Sequence, residues 1–309
     1  VLRLNPTQLE ALDTLGESYV MSGEPLRALR AFGSAARSAE SRKQDRDASR
    51  LHFRVARLWL DEVGDIGQAL LSCRRALSLS VGHDGFSPED RLEQLVFAAK
   101  LCEDRERYDE AIGYWVDVVP ELERLVDSGS TEQREPLIEA HKRLAAIYQH
   151  RGRPDAAATH LRRLVELAPD DQRAIQSLEA HYRMSGKPEQ LIGLYRDILR
   201  RGSLGAEREI PIRVRLGEVY EVLNLHEDAA EELVYALKMD PSSETARRAL
   251  IRVYLASGMA KTLKSSLGGV LMRVTDKSAK WGVLMDLGDL QLEFLKEPAE
   301  AARVYLEAL

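Results

Sequence analysis

A short run of residues returns along this 309-residue chain at intervals near 34 residues, and this return constrains the fold more than any other feature. Its fullest form is Leu216-Gly217-x-x-Tyr220, followed by small and apolar residues and then by Pro241. Tyr148 and Tyr182 are 34 residues apart, as are Tyr220 and Tyr254. A recurring unit of this length predicts a stack of helix pairs that functions through its surface and has no buried active site.

Five copies are clear, and three looser ones complete the array. The clear copies contain Leu12, Gly16 and Tyr19; Leu144, Ala145 and Tyr148; Leu178 and Tyr182; Leu216, Gly217 and Tyr220; and Leu250 and Tyr254. The looser copies contain Cys73, Cys102 and Tyr305, and those around Trp59 and Gly288 carry one extra residue before the second helix. The pattern resembles the tetratricopeptide repeat (TPR) family over the whole chain. The resemblance implies an all-α, right-handed α-solenoid of about eight antiparallel helix pairs, with residues 1–309 as a single domain. A boundary near 128–130 is the alternative.

Glycines inside predicted helices indicate where the helices of a pair approach closely. A glycine there costs about 1 kcal/mol relative to alanine, so Gly16 and Gly217 need a compensating contact. We expect small residues that open the second helix, such as Ala28 and Ala229, to lie across it. Gly23, Gly152, Gly186 and Gly258 are predicted to lie in turns that need positive φ.

Three longer connections are predicted: 80–90, 120–136 and 202–209. A helix is expected to start at Ser87-Pro88-Glu89. The first residues, 1–6, match the tail of a repeat, as at 236–241, and the last residues lie inside a second helix. We therefore expect the chain to come from a longer array, with sticky repeat ends that allow self-association.

Composition favours a charge-rich, all-helical protein that functions outside the bilayer. There are 44 basic and 50 acidic side chains, for a net charge of −6. No apolar run approaches the roughly 18 residues that span a bilayer, so membrane insertion is not expected. The two cysteines, Cys73 and Cys102, occupy packing positions and predict buried thiols in a reducing, cytoplasmic setting.

The sequence indicates neither an enzyme nor a cofactor. It lacks a phosphate-binding Gly-Lys-Ser/Thr loop, His-Glu-x-x-His, Gly-x-Ser-x-Gly and paired Cys-x-x-Cys. His141, His150, His160 and His181 come closest to a group, but no two have one-turn spacing on a helix. We expect no metal site and interpret these histidines as packed or solvated.

Charge is uneven along the chain. Residues 27–57 hold nine basic and three acidic side chains, whereas residues 84–135 hold fifteen acidic and six basic ones. The basic stretch is interpreted mainly as a solvated or neighbour-pairing face. A protein partner is the first alternative, and nucleic acid is disfavoured because no aromatic residues alternate with the arginines.

The outward face of each first helix is the predicted binding surface. In TPR arrays this face lines the concave groove. Acidic residues fill it in the first and sixth units, at Glu10, Asp13, Glu17, Glu218 and Glu221. The predicted partner-binding residues are Lys142, Gln149, His150, Arg173, Gln176, Arg183, Arg248 and Arg252. Pairing of these charges between adjacent repeats is the alternative interpretation.

The resemblance implies a non-enzymatic scaffold, of bacterial type from its Ala, Arg and Leu bias, that binds a protein or peptide. An acidic partner is favoured because the middle and late groove is rich in arginine. Capture of a chaperone tail is disfavoured, since Asp13 and Glu17 stand where carboxylate-binding members have lysine and asparagine. The alternatives are the regulatory arm of a larger enzyme, or an assembly factor of an envelope or motility complex.

Overall fold

The computed structural model describes residues 9–80, 86–201 and 205–309, and all regular secondary structure in these residues is helical. The chain divides into two compact units, Val1–Ala168 and Pro169–Leu309. In the first, the helices are α1 (Leu9–Met21), α2 (Pro25–Ser41), α3 (Asp45–Leu58), α4 (Ile66–Ser80), α5 (Pro88–Asp104), α6 (Tyr108–Asp127), α7 (Arg134–His150) and α8 (Pro154–Leu167). In the second they are α9 (Gln172–Met184), α10 (Pro188–Arg201), α11 (Ala206–Val222), α12 (His226–Met239), α13 (Glu244–Ala256), α14 (Ala260–Leu271), α15 (Lys277–Asp289) and α16 (Pro298–Ala308).

Within each unit, every helix packs against its neighbours in sequence, as a solenoid of helix pairs requires. The predicted all-α fold class is confirmed. Residues 128–130 lie inside the first unit, in the turn between α6 and α7. The single-domain organisation over residues 1–309 stays a prediction.

The predicted close approach occurs at both glycines. A Cβ added to Gly217 would lie 2.9 Å from Leu233 Cγ and 3.3 Å from the Ala229 carbonyl oxygen. At Gly16 the neighbour is the ring of Phe32, 2.5 Å from the added Cβ, and Ala28 is not among the nearest groups. The glycines thus let a large buried side chain of the second helix reach the backbone of the first.

The predicted turn glycines all adopt positive φ, from 60° at Gly186 to 72° at Gly258. At Gly152 the two hydrogen bonds of a Schellman motif close the helix: Gly152 N–H donates to Gln149 C=O, and Arg153 N–H donates to Tyr148 C=O. Glu106, Asn224 and Lys296 fill the equivalent turn in other pairs with positive φ, although none is glycine. The sequence did not indicate positive φ at these three turns, because the prediction relied on glycine at that position.

The extra residue of two looser repeats is accommodated by widened helical turns. The segments Trp59–Val63 and Leu290–Phe294 are π-helical and extend α3 and α15. A π turn contains one more residue than an α turn, so the packing face keeps its register on both sides of the insertion. The uncertain copies around Trp59 and Gly288 are therefore helix pairs like the others.

Two of the predicted long connections are wrong at their edges. Pro120 lies inside α6, Pro136 lies inside α7, and residues 206–209 belong to α11, which begins at Ala206. The turn between α6 and α7 therefore covers only residues 128–133. Pro120 falls in the middle of α6, at a position where a proline is unfavourable in a helix, and the favourable packing of Val118, Val119 and Leu122 outweighs that cost.

Other predictions lie partly outside the described residues. These are the matched tail at 1–6, the linker residues 81–85 and the start of the connection at 202–204. The predicted helix start is confirmed, because Ser87 caps α5 by accepting from the backbone N–H of Glu89 and Asp90. At the other end, Leu306 is 70% exposed. Self-association through this face stays a prediction.

Candidate functional site

The predicted outward residues of α7 lie on its exposed side. Lys142, Gln149 and His150 are exposed, whereas Leu144 and Tyr148 are buried in the helix pair. Lys142 and His150 border a groove of about 460 Å³ in the first unit, which is also lined by Glu103, Tyr108, Arg143, Ala146 and Ile147. Two of the three predicted residues on α7 therefore border this groove, and their binding of a partner stays a prediction.

Ion pairs and a hydrogen bond fix the positions of Glu103 and Arg143, which line this groove. Glu103 accepts from Arg143 Nη1 at 2.9 Å and from Trp115 Nε1 at 2.5 Å. The guanidinium of Arg143 also contacts Glu139 at 2.7 Å. Because Trp115 is buried, this network links the groove to the core and fixes its shape. Arg143 therefore has a structural role. At the edge of the groove, the ring centroids of Tyr108 and His150 lie 4.8 Å apart.

Part of the basic stretch in the first unit is paired with a neighbouring repeat. Arg54 contacts Asp13 at 2.7 Å and Glu17 at 2.9 Å, and Arg50 contacts Asp13 at 3.3 Å. These arginines border a groove of about 560 Å³ between α3 and the start of α5. The acidic residues of the first predicted groove unit thus neutralise the arginines of the next unit, as the neighbour-pairing interpretation predicts.

In the second unit, the predicted arginines fall into two groups. Arg252 Nε contacts Glu221 at 2.7 Å, and Arg248 contacts Glu244 at 2.6 Å one turn earlier in α13. Arg173 and Arg183 on α9 are exposed and form no ion pair with any residue of the described ranges, and Gln176 lies exposed between them. The pair of Arg173 and Arg183 is therefore available for a partner's carboxylates, whereas Arg252 already stabilises a repeat interface.

Arg183 also borders an apolar cleft that sequence reasoning missed. The cleft has a volume of about 360 Å³ and is lined by Tyr182, Arg183, Gly186, Lys187, Pro188, Leu191, Glu218, Val219 and Val222. Met184 and Val222 end α9 and α11 and are 83% and 75% exposed. The sequence does not mark the cleft by this position, because Met21 occupies it in the first repeat.

A second missed feature is a buried histidine pair in the first unit. His141 on α7 and His160 on α8 place their Nδ1 atoms 3.1 Å apart, although they are not one turn apart on a single helix. His141 is 3% exposed, and its Nε2 is buried without a hydrogen-bond partner in the described structure. The Tyr148 ring stacks on His160, and Glu123, Arg163 and Glu166 are the charged groups that act on the pair.

This pair should make stability depend on pH. Burial, followed by the neighbouring His160 and Arg163, lowers the pKa of His141 from 6.5 to about 4, and burial also lowers the pKa of His160. The folded state therefore favours neutral imidazoles. Stability should be complete above about pH 6.5 and should fall by about 1 to 3 kcal/mol as the pH drops from there towards 4.

Urea unfolding at pH 7.5 and pH 5.0 measures this loss. The variant His141→Leu should lose less stability between the two pH values, because the unpartnered imidazole is gone. His150→Gln, at an exposed position, should behave like the wild-type protein. Equal losses in His141→Leu and the wild-type protein would show that the pair does not titrate as described.

Over residues 9–80, 86–201 and 205–309, no group of three or more His, Cys, Asp or Glu side chains is arranged to hold a metal ion. No helix in the same ranges has the length and apolar character to cross a bilayer. Cys73 and Cys102 are free and buried, as predicted, and burial raises the pKa of Cys73 to about 12.

Residues 138–180 match the tetratricopeptide repeat family. Comparison with curated proteins gives no match. Among solved structures, a tetratricopeptide repeat protein from Parabacteroides merdae is similar, with 12% identity, coverage of 90% of this chain and 98% of that chain, and a TM-score of 0.40. YrrB, a TPR protein with an unusual peptide-binding site, shows 19% identity, coverage of 69% and 95%, and a TM-score of 0.35. PilF of Pseudomonas aeruginosa shows 16% identity, coverage of 78% and 95%, and a TM-score of 0.34.

Proposed function

We propose that this chain, in which residues 138–180 match the tetratricopeptide repeat family, is a non-enzymatic interaction scaffold that binds an acidic segment of a protein partner. The binding surface is the outward face of the first helices. In the second unit the main contacts would come from Arg173, Gln176 and Arg183. In the first unit they would come from Lys142, Gln149 and His150 around the groove described above.

The observation that carries the proposal is that some outward arginines form ion pairs between repeats, whereas others form none in the described ranges. Arg215 reaches Glu179 at 2.8 Å and Arg252 reaches Glu221 at 2.7 Å, so these side chains join adjacent repeats. Arg173 and Arg183 lie on the same kind of helix without an ion-pair partner in the described ranges. An arginine fork binds a carboxylate through two hydrogen bonds, which suits these two residues to an acidic ligand.

Rigidity supports the same function. The opposite faces of these first helices are buried, with Leu178 and Leu216 at 0% exposure. A partner would therefore meet side chains on a preformed surface, and little of the binding free energy would be lost in ordering the scaffold. Ion pairs within the protein neutralise some of the outward charges. The remaining charges would determine which partner segments bind.

Selection from a displayed library of random 12-residue peptides tests the proposal. The wild-type protein should enrich peptides rich in aspartate and glutamate. The double variant Arg173→Glu and Arg183→Glu should lose that enrichment, because repulsion replaces attraction at both positions. The control is Arg200→Glu on the second helix α10, where the arginine is 74% exposed.

The control variant should enrich the same peptides as the wild-type protein, and circular dichroism should show equal helix content in all three proteins. Enrichment of acidic peptides by the double variant would place binding elsewhere. Enrichment of no peptide class by the wild-type protein would contradict the proposed function.

A further inference from the structure

We propose that the apolar cleft beside Arg183 takes a leucine-sized apolar side chain that a partner peptide carries next to a carboxylate. This inference rests on the proposed function and names the partner class for one site in the second unit. The cleft lies where the end of α9, the start of α10 and the face of α11 come together. Its volume of about 360 Å³ is at the small end of protein ligand sites, so it suits one or two side chains.

The inner walls of the cleft are rigid. Tyr182, Leu191 and Val219 are 3%, 4% and 6% exposed, because each also packs in the core of the unit. Gly186 forms the turn at one end with φ of +60°, and no atom lies within 4 Å of the position that its Cβ would occupy. The turn therefore leaves the cleft open to solvent on that side, and the walls are already in place before a ligand arrives.

Val222 forms an exposed apolar edge of the cleft, and Met184 is the corresponding residue of the preceding repeat. Met184 and Val222 are each two residues past a signature tyrosine, Tyr182 and Tyr220, so they occupy the same position in successive repeats. In the first unit, the same position is His150 after Tyr148 and Met21 after Tyr19, and Met21 is 90% exposed. Val222 is 75% exposed. Exposed aliphatic and methionine side chains beside a preformed cleft are typical of a contact surface.

The charges around the cleft define its ligand further. Arg183 and Lys187 lie on the α9 and α10 side, whereas Glu218 lies on α11. The guanidinium of Arg183, which forms no ion pair within the described ranges, can donate hydrogen bonds to a carboxylate at this edge, and Lys187 adds positive potential on the same side. Glu218 would repel a second carboxylate across the cleft. The fitting segment thus has its apolar side chain in the cleft and its acidic neighbour towards α9.

Three fluorescent 12-residue peptides test this inference by anisotropy with the full chain. The first has a central leucine flanked by glutamates. In the second, serine replaces the leucine, and in the third, glutamines replace the glutamates. We expect the first peptide to bind the wild-type protein about tenfold more tightly than either of the others, since only it satisfies both the cleft and Arg183.

Two cleft variants, Val222→Asp and Arg183→Glu, should each weaken binding of the leucine-glutamate peptide about tenfold. Two matched controls should leave it unchanged: Met272→Asp, an 81% exposed apolar residue at the end of another helix in this unit, and Arg200→Glu on α10. Val222→Thr, which puts a hydroxyl at the same wall with little change in volume, replaces Val222→Asp if that variant loses helix content.

The outcomes separate this inference from the proposed function. Equal binding of the leucine and serine peptides, or binding that resists both cleft variants, would overturn the cleft site while leaving an acidic-segment scaffold in place. Failure of all three peptides to bind would also overturn the cleft site. Failure of the library selection described above as well would overturn the scaffold.

Discussion

Replacing Gly217 with leucine is expected to destabilise the second unit by about 1 to 3 kcal/mol or more, since the new side chain overpacks a filled contact. Its Cβ alone would lie 2.9 Å from Leu233 Cγ and 3.3 Å from the backbone oxygen of Ala229. Leu233 is 0% exposed, so a shift of its side chain would disturb the packed core around it. The free energy of unfolding in urea measures the loss.

The control for this substitution is Gly193→Leu. Gly193 lies inside α10, and nothing is within 4 Å of the position its Cβ would take. Leucine favours the helix more than glycine does, so this variant should be as stable as the wild-type protein or more stable by up to about 1 kcal/mol. If the two variants proved equally stable, the close approach of α11 and α12 would not exist in solution.

Removing the carboxylate of Asp286 is expected to cost about 3 kcal/mol. Arg247 Nε contacts Asp286 at 2.6 Å, and the arginine side chain is only 6% exposed. Its Nη1 is already buried without a partner in the described structure. The variant Asp286→Ala would leave a buried guanidinium with no counter-charge, which destabilises far more than loss of an exposed pair.

Arg247→Met should restore part of the stability lost in Asp286→Ala when the two changes are combined, because no charge is then stranded. Glu244→Ala is the matched control, as its partner Arg248 is 73% exposed, and it should cost less than about 1 kcal/mol. Similar losses in Asp286→Ala and Glu244→Ala would show that Arg247 reaches solvent.

Much of the fold could be predicted from the sequence because each repeat contacts mainly its neighbours. Periodic small and large residues therefore report local packing, and this is why Gly16 and Gly217 were assigned correctly. The extra residues near Trp59 and Gly288 were recognised, but their accommodation by π turns was not, since a widened turn changes no side-chain pattern. Pro120 was misinterpreted because proline usually ends a helix.

The candidate site was less predictable because it depends on which charges meet across repeats. The outward positions of Arg183 and Arg252 follow from helical periodicity, yet only the structure pairs Arg252 with Glu221 and leaves Arg183 without an ion pair in the described ranges. His141 and His160 come from two different helices, so spacing along one helix could not indicate their contact. The cleft is formed by residues of α9, α10 and α11, so the pattern along one helix could not indicate it either.

A charge-swap measurement tests whether Arg183 directly binds a carboxylate of a partner segment. An acidic peptide selected by the wild-type protein would be compared with a version in which one glutamate is replaced by lysine, each against the wild-type protein and Arg183→Glu. The account predicts that one such lysine peptide binds Arg183→Glu about tenfold more tightly than the parent peptide does, reversing the wild-type preference. If the parent peptide remained the tighter ligand of both proteins at every glutamate tested, Arg183 would not contact the partner and the account would be contradicted.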